Sequence, residues 1–552
     1  MPKIPRPYQY KLKSDIYAEW DAGNRNVLAV LPTGGGKSVV ASDIASDGAQ
    51  VQMPQAVIAH RNELVGQMSI HLAEENILHR IIAPDPFIKE ITREHRELFG
   101  GRSFISPTAR TGVIGVDTLI TPKRAEFLKP WCLQIRRWTI DEAHHVLENN
   151  KWGKAVKMFP NAFGLGITAT GGRPDGCGLG REFDGVFDSI VFGPNMRQLI
   201  EMGNLCDYEI VCPTSDIEVD ESMVGASGDV SQHKLKSAAD KSHIVGDVTK
   251  AYLKYCPGKQ AIVFATDTEN GAKIANDLNA HGVRAAFLCG DTNREVRRKY
   301  VKEFKTGKLL VLVNVDLFDE GFDCPACEVV IMARPTFSIV KYLQMVGRAL
   351  RTLQGKKYGL IIDMVSNFKR HGYPDKHREW TLARRDKRGK NEDDPDDIPL
   401  TSCKACARPY ERFKSACPHC GAVPPLPAPG QRTIQQVDGD FTYLDVETLK
   451  RMRQAIILES PADIGERVFK AAGPGAAKQK MDQQIAKGAA QQRLKDVLNQ
   501  WAAVEFANGF TESEVHRRLF LTLGIDVLSM LAAANTRQEY EKWATRIESW
   551  YL

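Results

Sequence analysis

No apolar run in this 552-residue chain approaches the ~18 residues that cross a bilayer. The opening Met1-Pro2-Lys3-Ile4-Pro5-Arg6 has no apolar core of signal-peptide length. Cysteine is sparse: eight of the twelve are scattered or lie in strand-like segments, which fits a reducing compartment rather than a disulfide framework. Charge of either sign is not in excess. The net +6 from 74 basic and 68 acidic residues leaves room for a local nucleic-acid-binding patch without arguing for one. These absences point to a cytoplasmic globular protein without a membrane partner. At this length three or four domains are expected, because single cores seldom exceed ~250 residues.

What the chain does have is organised around Leu31-Pro32-Thr33-Gly34-Gly35-Gly36-Lys37-Ser38. It follows an apolar strand-like run, Val27 to Leu31, and precedes Val39-Val40-Ala41 and Ile44-Ala45, which can open a helix. Glycines let backbone N–H groups converge on an anion, and the helix N-terminus adds partial positive charge. Lys37 would reach the terminal phosphates and Ser38 would hold Mg2+. The first glycine of the full phosphate-loop pattern is replaced by Leu31, and alone the stretch also fits a flexible turn.

Further runs read as strands: Ala56–Ala59, Thr111–Val116, Trp138–Ile140 and Leu165–Ile167. Each is followed by polar groups, as in an open parallel α/β sheet. Upstream, Arg6-Pro7-Tyr8-Gln9 could close over a nucleotide base, the Gln9 amide donating to and accepting from an adenine edge. Asp141-Glu142 supplies paired carboxylates, one to organise magnesium and one to deprotonate water. The same pair could instead cap a helix, with His144-His145 solvated. The hydroxyls of Thr168 and Thr170 could bond to the acidic motif across neighbouring strand ends. Gly171 to Gly180 reads as a loop, and the pattern weakens until about Ser242. A second α/β unit follows, with strands at Gln260–Ala265, Arg284–Leu288, Leu309–Val313 and Val329–Met332. It carries Glu320-Gly321-Phe322-Asp323 and Gln344-Met345-Val346-Gly347-Arg348-Ala349-Leu350-Arg351. Arg348 and Arg351, three apart, share a helix face.

Taken in order, these motifs resemble those of the superfamily 2 helicases and translocases of the DEAH-box type. The narrower likeness is to bacterial RadD-type and related phage DNA helicases, over roughly residues 1 to 370. The resemblance implies two tandem RecA-like motor domains, 1–205 and 206–380, in an ATP-dependent DNA helicase or translocase of replication, recombination or repair, acting in a bacterial cytoplasm. An RNA helicase and a duplex translocase that remodels protein–DNA complexes are the alternatives. It implies that Thr33 to Gly36 wrap the phosphates, Lys37 neutralises them, and Ser38 and Asp141 hold magnesium. Glu142 is then the base, Gln344, Arg348 and Arg351 reach the terminal phosphate, and Gly321 and Asp323 meet the nucleotide. His144, Thr168 and Thr170 couple the lobes. Arg61, Thr118 and residues near Thr266 and Asp291 grip the strand. Gly171-Gly172 replaces the usual proline, which should loosen that loop.

A polarised linker, 381–400, separates the motor from Cys403-Lys404-Ala405-Cys406 and Cys417-Pro418-His419-Cys420. Two C-x-x-C pairs ten residues apart fit a closed tetrahedral site for structural Zn2+ in a module spanning 401–424. Cys324-Pro325-Ala326-Cys327 has no second pair and reads as buried core. The proline-rich spacer Pro424 to Gly430 should let the module swing, and 425–552 reads as helical, with Thr511-Glu512-Ser513-Glu514 as a capping box. The module or tail could bind DNA or a protein partner.

Overall fold

The computed structural model describes residues 4–59, 62–213, 223–225, 228–240, 242–318, 324–384, 400–411, 414, 416–423, 458–527, 530–531, 534 and 536–550. Arg61, Gly321, Asp323, most of the linker and the proline spacer lie outside them.

Two compact units emerge, 1–387 and 388–552. The first holds two parallel sheets. Strands β1 Asn26–Val30, β2 Gln55–Ala59, β3 His79–Ile82, β4 Thr111–Gly115, β5 Arg137–Asp141, β6 Phe163–Thr168 and β7 Ser189–Phe192 form one sheet in the order 3-4-2-5-6-1-7. Strands β8 Asp207–Val211, β9 Ala261–Phe264, β10 Ala285–Leu288, β11 Val311–Asn314, β12 Val329–Met332 and β13 Tyr358–Asp363 form the other in the order 10-11-9-12-13-8. This is the architecture expected of tandem RecA-like domains.

Strand β1 explains how the first lobe is layered. Its side chains alternate across the sheet. Val27 and Ala29 pack with Leu12, Ile16, Val40 and Ile44 from helices Pro7–Asp21 and Lys37–Gln50. Leu28 and Val30 face the opposite layer with Trp138, Ile140, Trp152 and Phe187. Both faces are buried, so the strand reads as a continuous apolar run. Because β5, β6 and β1 are neighbours, their carboxyl ends bring Asp141, Thr168 and the glycine loop side by side, and the Leu31 N–H donates to Thr168 O at 2.9 Å.

The loop at Gly171 departs from the expectation that it is loose. A Cβ on Gly171 would meet the Trp380 side chain at 2.5 Å, and Arg173 Nη1 donates to His144 O at 2.6 Å. Chain leaving the second lobe returns here, where Gly180 N–H donates to Leu382 O at 2.9 Å.

In the second unit the knuckle does not swing free. Lys414 Nζ lies 5.4 Å from the Phe510 ring and Arg518 stacks on the same ring, so the cysteine module and the helical tail form one body. The tail core is Leu494, Leu498, Trp501, Leu519, Tyr540 and Ile547. Helix Glu512–Leu523 starts with the Thr511–Glu514 capping box. The long helix Pro461–Ala507 is interrupted at Gly473, whose φ of 82° and following Pro474 break the ladder. No helix among the described residues is long and apolar enough to cross a membrane.

A buried polar cluster stands out in the first lobe. Ser69 Oγ lies 2.7 Å from His79 Nε2 and 3.0 Å from His95 Nε2, and His79 Nδ1 is 2.9 Å from Ile77 O. With Nδ1 protonated toward that carbonyl, His79 Nε2 accepts from the serine, and both rings are neutral. Burial pushes His79 and His95 down to about 4, and burial does the same to His371 in the second lobe. Between the ordinary value of 6.5 and about 4, the unfolded chain takes up protons that the fold excludes. The stability these groups confer is therefore complete above 6.5 and lost as pH falls toward 4. Urea midpoints should drop across that window, and His79→Gln, which keeps a donor and an acceptor but does not titrate, should flatten the drop. An unchanged pH slope in that variant would contradict neutral burial of His79.

Candidate nucleotide site

The glycine loop is held in shape by the helix that precedes β1. Gly34 and Gly36 adopt φ of 86° and 85°, a region that L side chains avoid. A Cβ on Gly36 would lie 2.2 Å from Gln9 Nε2, and one on Gly34 would lie 2.6 Å from Leu205. Gln9 Nε2 donates to Gly35 O at 3.0 Å, Tyr8 Oη donates to the same carbonyl at 2.8 Å, and Gln9 Oε1 accepts Arg6 N–H at 2.8 Å. Both ends of the Gln9 amide thus serve the loop and the Arg6 cap, and Gln9 is buried. These residues set the loop's conformation.

Lys37, Ser38, Thr139 and Asp141 line one cavity beneath the loop. Glu142 follows in left-handed backbone, φ 52° and ψ 48°, with its N–H bonded to Asp141 Oδ1 at 2.9 Å. Its side chain is buried, and Glu142 Oε2 has no hydrogen-bond partner, with His144 Nδ1 3.5 Å away. An unsatisfied buried carboxylate oxygen is costly, so its persistence marks a group set to receive a proton or a water. His144 Nδ1 is also 3.1 Å from Thr168 Oγ1, and Thr168 Oγ1 donates to Thr170 O at 3.0 Å. The acidic motif and the threonine pair are thereby brought together.

The second lobe closes the site. Helix Ile339–Val346, capped by Ser338, ends at Gly347, where a Cβ would meet Thr33 at 2.6 Å, so Arg348 and Arg351 lie in the turn beyond the helix and not on one helix face as their spacing predicted. Gln344 and Arg348 are buried, Gln344 Nε2 is without a hydrogen-bond partner, and Arg351 Cγ is 3.9 Å from where a Gly34 Cβ would stand. Orphaned polar atoms on both lobes, an amide and a carboxylate, fit a polyphosphate with an attacking water. A lysine, a hydroxyl and a carboxylate around one cavity fit a phosphate-bound magnesium ion.

Other sequence-predicted residues lie elsewhere. Thr118 sits half-buried in the turn Val116–Leu119 after β4. Thr266 is 1% exposed with its hydroxyl donated to Asp267, so it presents nothing to a strand as placed. Asp291 is exposed before helix Arg294–Lys305. Arg173, which grips the backbone of His144, was legible only as one cation in a glycine-rich loop.

The four cysteines converge. Their sulfurs all lie within 4.8 Å of one another, with Cys403–Cys420 at 3.6 Å and Cys406–Cys417 at 3.7 Å. Sulfur edges of about 3.8 Å follow from a tetrahedron with metal–sulfur bonds of ~2.3 Å. Burial opposes ionisation of Cys403, but amide N–H groups of Cys406 and Ala405 and its sulfur neighbours bring it down to about 7. Cys324 and Cys327 are buried core thiols, and burial raises Cys327 to about 12.

Residues 3–173 match the family described as type III restriction enzyme, res subunit, and residues 245–352 match the helicase conserved C-terminal domain. A 51.5 kDa protein of a Lactococcus phage (isolate 7-9) is 34% identical over 240 residues, covering 44% of this chain and 51% of the relative. A protein of Schizosaccharomyces pombe named as a mitochondrial ATP-dependent helicase, irc3, is 27% identical over 389 residues, covering 68% and 59%. The chain thus spans between half and three-fifths of the length of these curated relatives. Among solved structures, a fragment described as the HsdR subunit of a type I restriction enzyme from Vibrio vulnificus YJ016 matches at TM-score 0.50 and 20% identity, over 68% of this chain and 66% of that one, a likeness of fold. The two family regions fall on the two parallel sheets and meet at the glycine loop, so the chain carries, in tandem, a res-subunit region of the type III restriction enzyme family and a helicase conserved C-terminal domain.

Proposed function

We propose that the chain is a nucleic-acid-stimulated ATPase that moves along a DNA strand, each cycle opening and closing the two lobes. The observation that carries this reading is the buried Glu142, with Oε2 unsatisfied, on the lobe whose glycine loop meets the Gly347 to Arg351 segment of the other. Lys37 and the N–H groups from Thr33 to Gly36 bind the phosphates, and Ser38 and Asp141 hold magnesium, which neutralises phosphate charge. Glu142 accepts the proton of the attacking water. Gln344, Arg348 and Arg351 supply charge and hydrogen bonds where negative charge grows in the transition state, so their effect depends on lobe closure. Arg6, Tyr8 and Gln9 preset the loop, and Gly321 and Asp323 meet the nucleotide. His144, Thr168 and Thr170 relay its state.

DNA is favoured by the likeness to DNA helicases. Arg61 and Thr118 would touch its backbone with main-chain groups near Thr266 and Asp291, a mode that reads neither base nor sequence. The cysteine cluster holds a structural zinc ion. Zinc and tail together set where the motor engages, through added phosphate contacts or a protein partner.

Lys37→Ala and Glu142→Gln should each lower strand-stimulated hydrolysis by about a hundredfold or more in folded protein. Near-normal turnover in either would end the ATPase reading. At matched salt, single-stranded DNA should stimulate hydrolysis more than single-stranded RNA, and the reverse order would reassign the substrate. Replacing Cys417 and Cys420 with serine should release one zinc per chain, measured by metal analysis, and lower the melting of the knuckle–tail unit. Hydrolysis at saturating strand should survive. Wild-type protein purified without zinc yet melting normally would remove the metal from the account.

A further inference from the structure

Between β8 and the helix Ile244–Tyr255 of the second lobe, residues 223–225 and 228–231 pair, with an antiparallel bridge between Val224 and Val230 and the Gly225 N–H donating to Asp229 O at 2.9 Å. Together they touch both lobes. Toward the first, a Cβ on Gly228 would fall 2.0 Å from Pro174 O and 2.9 Å from Asp175 N, and Gly228 has φ of 76°. Toward the second, Asp229 Oδ1 accepts from Thr336 Oγ1 at 3.0 Å and from Phe337 N–H at 2.8 Å, and Asp229 Oδ2 is 3.3 Å from Lys341 Nζ.

Each end of this bridge leads to a residue of the nucleotide site. Asp175 pairs with Arg173 through Nε at 2.9 Å and Nη2 at 2.5 Å, leaving Arg173 Nη1 for the carbonyl of His144, two residues from Glu142. Arg173 is 15% exposed, so it is a structural clamp more than a cation offered to a strand. On the other side, Thr336 Oγ1 accepts the Ser338 N–H at 3.1 Å, and Ser338 caps the helix that carries Gln344 and delivers Gly347 to Thr33. A buried carboxylate at that helix N-terminus is also favoured by the helix dipole.

We propose that the segment 228–231, bridged to Val224, is a coupling element between the lobes, with Arg173 and Asp229 as positioning residues. They tie the backbone of the acidic motif to the helix that brings the arginines. This rests on the ATPase reading above for its chemistry, though not for its contacts. Arg173 sets the height of the His144 and Glu142 backbone, and Asp229 sets the tilt of the opposing helix. Lobe opening must then shift both at once.

Gly228→Ala disturbs the bridge on its first-lobe side, by collision of its Cβ with Pro174 and by strain at its positive φ, while the Asp229 bonds lie wholly within the second lobe. Strand-stimulated kcat should fall about tenfold with KM for ATP changed less than about threefold, the split expected when a transition-state arrangement is lost. Amide exchange in residues 170–178 should rise. Arg173→Gln should behave alike, Arg173→Lys should recover part of the loss, and Arg173→Gln with Gly228→Ala should cost no more than the worse single change. Should Gly228→Ala fail to fold, Arg173→Gln is read by the same two measurements. Turnover near wild type in these variants, or additive losses, would overturn the proposal. Protein that hydrolyses no ATP, yet shows the rise in exchange, would sink the ATPase reading and leave the coupling standing. Unchanged exchange would sink the coupling itself.

Discussion

The contact on which the site depends is that between Thr33 of the glycine loop and Gly347, at the end of the helix that leads into Arg348 and Arg351. No side chain fits there, since even a Cβ on Gly347 would press into Thr33 at 2.6 Å. The loop is equally intolerant from below, where Gln9 occupies the volume a Gly36 side chain would need. A single left-handed residue forced on a side chain costs about 1–2 kcal/mol. Glycine avoids that cost at Gly34 and Gly36, and bare backbone at Gly347 lets the second lobe approach the glycine loop at Thr33. Neither lobe alone assembles the site.

Glu142 shows the opposite choice. It accepts the left-handed strain that the glycines escape, and it keeps a buried carboxylate oxygen without a hydrogen-bond partner. Such expense persists only where surrounding structure over-determines it. Here the over-determination is visible: β5 fixes Asp141, the Glu142 N–H is tied to that carboxylate, and His144 is held by Thr168 on one side and Arg173 on the other. In the proposed role of base, a carboxylate held in this way completes its reorganisation during folding and not at the moment of reaction.

Much of this was legible in the sequence because central parallel strands are apolar on both faces. Strands β1, β2, β9, β11 and β12 read as hydrophobic runs and β5 as the mixed Trp138-Thr139-Ile140, and the glycine loop and the acidic motif lie at the ends of β1 and β5. Strands β7 and β8 were not legible, since they are edge strands with half-exposed residues and their Ser189–Phe192 and Asp207–Val211 segments lack that signal. Strand β13 carries Leu360-Ile361-Ile362, as apolar as its neighbours, and could have been found. Arg173 and Asp229 could not. Their roles come from contacts 29 and more than 100 residues away in sequence, to His144 and to Thr336, and no local pattern announces them. The docking of the knuckle on Phe510 was hidden for the same reason, and the proline-rich spacer suggested freedom that the described residues do not have.

The central claim is that the two lobes make one site by meeting at Thr33 and Gly347. Its most direct measurement is single-turnover hydrolysis and ATP affinity in Gly347→Val, a wedge whose Cβ presses chiefly into Thr33, with the Leu343 carbonyl next at 3.1 Å. The account predicts ATP binding within about threefold of wild type and strand-stimulated hydrolysis reduced about a hundredfold or more, since the phosphate loop is intact and only the arginines are held away. Hydrolysis at the wild-type rate in the folded variant would contradict it.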